Sequence, residues 1–243
     1  ITEGLWNEPV TIEINKRIVE KPYDLILSIG QVVPHEVIGM ANHSKNIFVG
    51  CGGKRTINES HMIGAVYGME RMMGKDHTPV RKVLDYALSH FANTLPIVFV
   101  LTVTTANKKD IFTHGLFIGS ERKTFEAAIK LSQEKNIDWL DRGIKKCVVF
   151  LDEKEFKSTW LGNKAVYRTR MAMQDHGELI ILAPGVSKFG EDIKIDELIR
   201  KYGYRNRDHI LNEFHKNKDL QDNMSAAAHL IHGSSENRFQ INA

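Results

Sequence analysis

The sequence predicts an α/β protein of two domains built on mostly parallel sheets. Short β-branched apolar runs alternate with segments whose apolar residues recur at helical spacing, the pattern of repeated βα units. That pattern stops at the polar stretch 136–145 (NIDWLDRGIK) and restarts after it, dividing the chain into 1–140 and 141–243. At 243 residues, 42% hydrophobic and 26% charged, the chain can fold without a disulfide or structural metal.

The elements follow in order. Asp24 to Ile29 (DLILSI), ended by Gly30, reads as a buried parallel strand. Residues 30–58 are loop-rich. From Glu59 to Met73 the residues Met62, Ile63, Val66, Met69 and Met73 recur at helical spacing, with Asn58 or Ser60 as cap. A helix over Pro79 to Phe91 carries its proline in the first turn. LPIVFVLTVTT and IFTHGLFIG read as strands, and Lys123 to Glu134 as a helix. Past the boundary come a strand (CVVFL), a helix from Lys154 to Met173 stopped by Gly177, and a strand (ELIILA). Helical segments around 194–201, 207–216 and 220–232 precede a last strand, RFQI. Arg168 and Arg170 read as a solvated helix face, and Asp152, Glu153 and Glu155 as a helix opening.

Composition narrows the function classes. A formal net charge of +3 without a long basic block gives no ground for nucleic-acid binding. Cys51 and Cys147 lie far apart and read as free thiols of a cytoplasmic protein. No apolar run approaches the ~20 residues that span a bilayer, so no membrane partner is expected. The opening ITEGLWNEPV has no signal-peptide pattern and no initiator methionine, which predicts a fragment or processed form.

Most chemistry-bearing residues crowd into residues 32–64, between a buried strand and a helix, where open α/β sheets bind ligands. The segment holds His35, His43, His61, Lys45, Lys54, Cys51 and the tetrad GCGG. The tetrad does not fit a phosphate loop, because Arg55 follows Lys54 and the glycine spacing differs. Two readings stay open on residue types alone: a metal site of His35, His43, His61 and Cys51, or solvated and core histidines in a glycine-rich loop.

The spacing resembles the nickel-pincer-dependent lactate racemase family, whose pattern is E-P-H-F-x-x-G-[FY]-S-G-G-R-K-x-x-x-P-G with a second His sixteen residues after the Lys. Here Pro34-His35 is followed by Gly39, Lys45 lies ten residues after His35, Gly50 five after Lys45, and His61 sixteen after Lys45. The family's Gly-Gly-Arg before the lysine is Asn42-His43-Ser44. The resemblance implies a divergent 2-hydroxyacid racemase or epimerase with its site in the cleft between two α/β domains. It implies that Lys45 carries, through a thioamide, a pyridinium mononucleotide holding nickel in a pincer, and that His61 ligates the nickel. It implies His35 as one of two acid/base groups flanking the substrate C2, whose hydride moves to the cofactor and returns. Imidazole suits both roles, as a base near neutral pH and as a nickel ligand.

Residues 145–184 resemble the family's second domain, where a helix bears a Tyr-Gln-x-x-Lys segment. Counting back from Gly177 puts Trp160 on the Tyr, Leu161 on the Gln and Lys164 on the Lys. This implies Lys164 and Trp160 as substrate-binding residues. Leu161 in place of Gln points to a sugar acid rather than lactate. DLQDNMSAAAHLIHG resembles the helix before the family's last strand. The Arg/Thr-rich phosphate-binding segment and the other catalytic histidine of the family's first half have no counterpart, and Thr113-His114-Gly115 lies in the wrong context. The chain is therefore expected to lack the family's N-terminal part and to be inactive by itself. Its expected partners are a small 2-hydroxy acid and cofactor maturation proteins. Two alternatives are a zinc hydrolase or lyase using His35, His61 and Cys51, and a non-catalytic small-molecule-binding module.

Overall fold

The computed structural model describes residues 1–107 and 110–243 and divides them into two compact units, 1–138 and 139–243. In the first unit a short helix α1 (Lys16–Val19) leads to strand β1 (Ile26–Gln31). A small hairpin of β2 (Pro34–His35) and β3 (Gly39–Met40) follows, then a π-helical turn (Asn46–Gly50). Helices α2 (Lys54–Tyr67), α3 (Met69–Met72) and α4 (Pro79–Phe91) precede strands β4 (Ile97–Asn107) and β5 (Asp110–Gly119) and helix α5 (Arg122–Asn136).

The sheet runs β1-β4-β5, with β1 parallel to β4 and β5 antiparallel to β4. Strand β4 alternates as its sequence requires: Ile97, Phe99, Leu101 and Val103 are buried on one face. Against them pack Phe125, Ala128 and Ile129, spaced at i, i+3 and i+4 on α5, with Val80, Leu84 and Ala87 of α4. The opposite face presents Leu27, Ile29, Leu116 and Ile118, all exposed. Helix α4 starts as its sequence indicates: the Thr78 hydroxyl accepts the Arg81 amide at 3.2 Å and Pro79 occupies the first turn.

Two details depart from the sequence reading. Helix α2 begins at Lys54, capped by Gly53, rather than near Glu59, because the glycine-rich segment ends sooner than its composition suggests. It stops at Tyr67, where Gly68 takes φ +101° and breaks the run toward Met73.

The second unit holds a parallel sheet in the order β6 (Ile144–Phe150), β7 (Met173–Leu182), β8 (Gln240–Asn242). Between β6 and β7 lie α6 (Thr159–Gly162) and α7 (Lys164–Thr169). Helices α8 (Ile193–Tyr202), α9 (Arg207–Lys216), α10 (Lys218–Gln221) and α11 (Met224–His232) complete it. The long helix expected over 154–173 is instead these two short helices, because Ser158 caps a new start by accepting the Leu161 amide. Gly177 does not stop a helix but lies inside β7, close to the Ile144 and Lys145 carbonyls, where a Cβ would crowd the neighbouring backbone. Arg170, expected on a solvated face, is buried and donates to the carbonyls of Ile231, His232 and Ser234. No helix among the described residues is long and apolar enough to cross a membrane.

Candidate active site

The first unit places His35, Lys45 and His61 along the connection from β1 to α2. His35 ends β2, Lys45 immediately precedes the π-helical turn, and His61 lies midway along α2. A close backbone approach joins these elements: a Cβ on Gly64, one turn beyond His61, would sit 2.8 Å from the Val37 carbonyl oxygen. Glycine there lets α2 press against the hairpin that carries His35.

The three groups form one electrostatic cluster with Glu36. Burial holds the His35 imidazole down to about 4; the Glu36 carboxylate pulls it up, and the charges of Lys45, His61 and Arg81 push it down further. Burial likewise lowers Lys45, against the pull of Glu36. It lowers His61 as well, opposed by the Ile57 carbonyl and Glu36. Near neutral pH both imidazoles are therefore uncharged, the form that binds metals and accepts protons.

The hydrogen bonds set the tautomers. His61 Nδ1 donates to the Ile57 carbonyl at 2.7 Å, one helical turn back, which leaves Nε2 with a bare lone pair. His35 Nδ1 accepts the Val37 amide at 3.1 Å, with Glu36 Oε2 at 3.8 Å from the same nitrogen. The Lys45 amine makes no hydrogen bond or ion pair among the described residues. An unpaired, desolvated amine and a bare imidazole nitrogen form a donor set that fits a lysine-anchored group with a histidine-ligated soft metal.

The altered tripeptide before Lys45 keeps a glycine-like backbone: Asn42 and His43 hold φ +76° and +58°. Asn and His are among the side chains that tolerate this region. His43 is a core histidine, its ring stacked 4.8 Å from Phe125 and tilted against Phe99 at 4.2 Å, and among the described residues it joins no metal-compatible cluster. Cys51 is exposed, and among the described residues its sulfur does not gather with His35 and His61. The zinc reading built on those three fails on this geometry. The metal-compatible cluster that does occur, Asp76, His77 and Glu126, is largely exposed, with Asp76 paired to Arg122 at 2.5 Å.

Sequence reasoning missed Arg81 and Asp85. Both lie on α4, in a segment that reads only as an amphipathic helix, and nothing in the local pattern marks an arginine that is 1% exposed. Its guanidinium donates to the carbonyls of Met40 and Asn42 and to the Ser44 hydroxyl, directly before Lys45.

In the second unit Trp160 stacks on His229 with ring centres 3.8 Å apart, and Tyr167 and Tyr204 hydroxyls meet the two ring nitrogens of that histidine. Lys164 opens α7 with its side chain exposed, and Leu161 is half-buried.

Comparison with known proteins fits this arrangement. Residues 4–73, which include His35, Lys45 and His61, match the lactate racemase N-terminal domain family. No curated protein matches the sequence. The fold is similar to the crystal structure of a Thermotoga maritima protein, with TM-score 0.81 and 23% identity over 99% of this chain and 60% of that one. It is also similar to the lactate racemase apoprotein from Thermoanaerobacterium thermosaccharolyticum, with TM-score 0.71 and 16% identity over 95% of this chain and 53% of that one. The chain thus spans little more than half the length of these two structures. One segment of the chain, residues 4–73, thus matches the lactate racemase N-terminal domain family, and the chain as a whole shares the α/β fold of these two structures.

Proposed function

We propose that the chain is part of an isomerase that inverts C2 of a 2-hydroxy acid, with a sugar acid preferred over lactate. The observation that carries this reading is the pairing of an uncharged His61 with a bare Nε2 and a desolvated, unpaired Lys45, in one cluster with His35. Lys45 would anchor a nickel-pincer pyridinium mononucleotide and His61 would ligate its metal. When bound, that group supplies the acceptor for the C2 hydride.

His35 would move the proton of the substrate's C2 hydroxyl. In the resting arrangement the Val37 amide occupies Nδ1, so the neutral ring carries its proton on Nε2. To accept a proton at Nε2, the ring must hold one at Nδ1 instead, and Glu36 Oε2 is the acceptor at hand. Burial keeps this histidine uncharged near neutrality, so its proton-accepting nitrogen is unoccupied there.

In the second unit, Lys164 and Trp160 would be substrate-binding residues, the lysine through its positive charge. Leu161 offers no hydrogen bond, which supports a substrate that satisfies its polar groups elsewhere, through further hydroxyls. The test is intact-mass and metal analysis of the full-length protein produced with cofactor maturation proteins. A covalent adduct on Lys45 with stoichiometric nickel supports the reading, and an unmodified Lys45 without nickel overturns it in favour of a binding module.

A further inference from the structure

The segment that delivers Lys45 is held from outside itself. Arg81 Nη2 donates to the Met40 carbonyl at 2.5 Å, and Nη1 to the Asn42 carbonyl at 3.2 Å and the Ser44 hydroxyl at 2.8 Å. The Ser44 hydroxyl in turn donates to Asp85 Oδ1 at 2.5 Å. That carboxylate lies 3.8 Å from Arg81 Nη1 and accepts Arg122 Nε on its other oxygen at 2.9 Å. The Ala41 amide donates to the Val33 carbonyl at 2.8 Å, and His43 stacks against Phe125 and lies 3.6 Å from Asp85. Every residue from Met40 to Ser44 is therefore tied to α4, to the core or to the chain leaving β1. Lys45 is the next residue, and its side-chain amine makes no hydrogen bond among the described residues.

We propose that Arg81 and Asp85 are positioning residues for Lys45, gripping the left-handed turn at Asn42–His43 so that the Lys45 amine is held in the cluster with His35 and His61. The inference rests on the reading of Lys45 as the anchor. Its physical basis is the mismatch between cost and local reward. Burying a guanidinium is expensive, and an apolar side chain of similar size would fill the same space on α4. What an apolar side chain could not do is satisfy two backbone carbonyls and a hydroxyl at once, which the planar fork does. Asp85 is the counter-ion that makes the burial tolerable. Burial pushes its carboxyl up, but His43, Arg81, Ser44 and Arg122 bring it down to about 2, so it stays ionised. Left-handed turns of non-glycine residues persist only where their surroundings hold them.

The experiment measures Lys45 without its cofactor. Reductive methylation at several pH values, read lysine by lysine by mass spectrometry, compares wild type with Ser44→Ala, Asp85→Asn and Arg81→Lys. Ser44→Ala removes one oxygen and keeps the core, so it reports even if the charge variants unfold. In Ser44→Ala and Asp85→Asn the labelling of Lys45 should rise by about tenfold, as expected for losing a buried hydrogen bond. Lys164 and Lys123 should keep their rates. Arg81→Lys, with a charge but no fork, should resemble Asp85→Asn. Folded variants in which Lys45 keeps the wild-type rate and pH profile would overturn the proposal, as would Arg81→Lys behaving as wild type. A missing adduct on Lys45 in the mature protein would refute the anchor reading and leave the labelling result to stand or fall independently.

Discussion

The Nδ1 of His61 lies 2.7 Å from the carbonyl oxygen of Ile57, and this bond decides which ring nitrogen is left to bind a metal. On the proposed reading, His61→Ala and Lys45→Ala in the mature, full-length protein should each lower nickel content by about tenfold or more, the first by removing the proposed ligand and the second the proposed anchor. Atomic absorption on purified variants checks this. Full occupancy in either variant would rule out the pincer assignment.

His35 should titrate far below an ordinary histidine. Its folded value of about 4 lies under the model-peptide value of 6.5, so the unfolded chain takes the proton first as pH falls. The associated stability is intact above pH 6.5 and is lost progressively down to about pH 4, at most about 3 kcal/mol. Nitrogen-15 NMR should show a neutral, Nε2-protonated ring at pH 6, and Glu36→Gln should lower the titration midpoint further. A midpoint near 6.5 would contradict the burial argument.

Asp85→Asn leaves the buried Arg81 with no full counter-ion while Arg122 keeps Asp76. The cost should be about 3 kcal/mol, in the range for breaking a buried pair from one side. Urea unfolding followed by circular dichroism measures it. A loss below about 0.5 kcal/mol would place Asp85 among ordinary surface carboxylates.

Gly39→Ala should destabilise the hairpin under His35. Gly39 sits at φ +93°, and a Cβ there would overlap the Lys75 carbonyl oxygen. Strain and displaced backbone together should cost about 2 kcal/mol or more, seen as a lowered midpoint in thermal unfolding.

With cofactor-loaded, full-length enzyme, C2 inversion of gluconate or mannonate should exceed that of lactate. Leu161→Gln should move the preference toward lactate by about tenfold, the value of one recovered buried hydrogen bond. Fast lactate turnover by the wild type would refute the role given to Leu161.

The sequence makes the strands and the amphipathic helices legible because β4 is a β-branched apolar run and α5 spaces Phe125, Ala128 and Ile129 at helical intervals. The interest of His35, Lys45 and His61 is legible from offsets alone, since their spacing resembles a family pattern that needs no knowledge of packing. What stays hidden depends on contacts distant in the chain. Arg81 donates to residues 37 to 41 positions earlier, so periodicity shows it only as one more polar residue on a helix. Arg170 misleads for the same reason: its partners lie 61 to 64 positions later. The split of the expected 154–173 helix turns on Ser158, a cap inside a run whose composition otherwise suits continuous helix.

His61 comes sixteen positions after Lys45, and the structure breaks that distance into unlike pieces: a π-helical turn, the Gly52–Gly53 step, and the opening of α2. A Cβ on Gly52 would overlap the Phe48 carbonyl, so the step closes tightly onto the turn. The π turn holds one residue more than an α turn would, and the angular phase of everything downstream includes it. Within α2 each residue advances the side-chain direction by about 100°. Inserting or deleting a single residue between Lys54 and His61 would therefore swing the imidazole away from its present bearing while leaving the helix and its core face repairable. The segment is a gauge of fixed length, far less forgiving of indels than of substitutions.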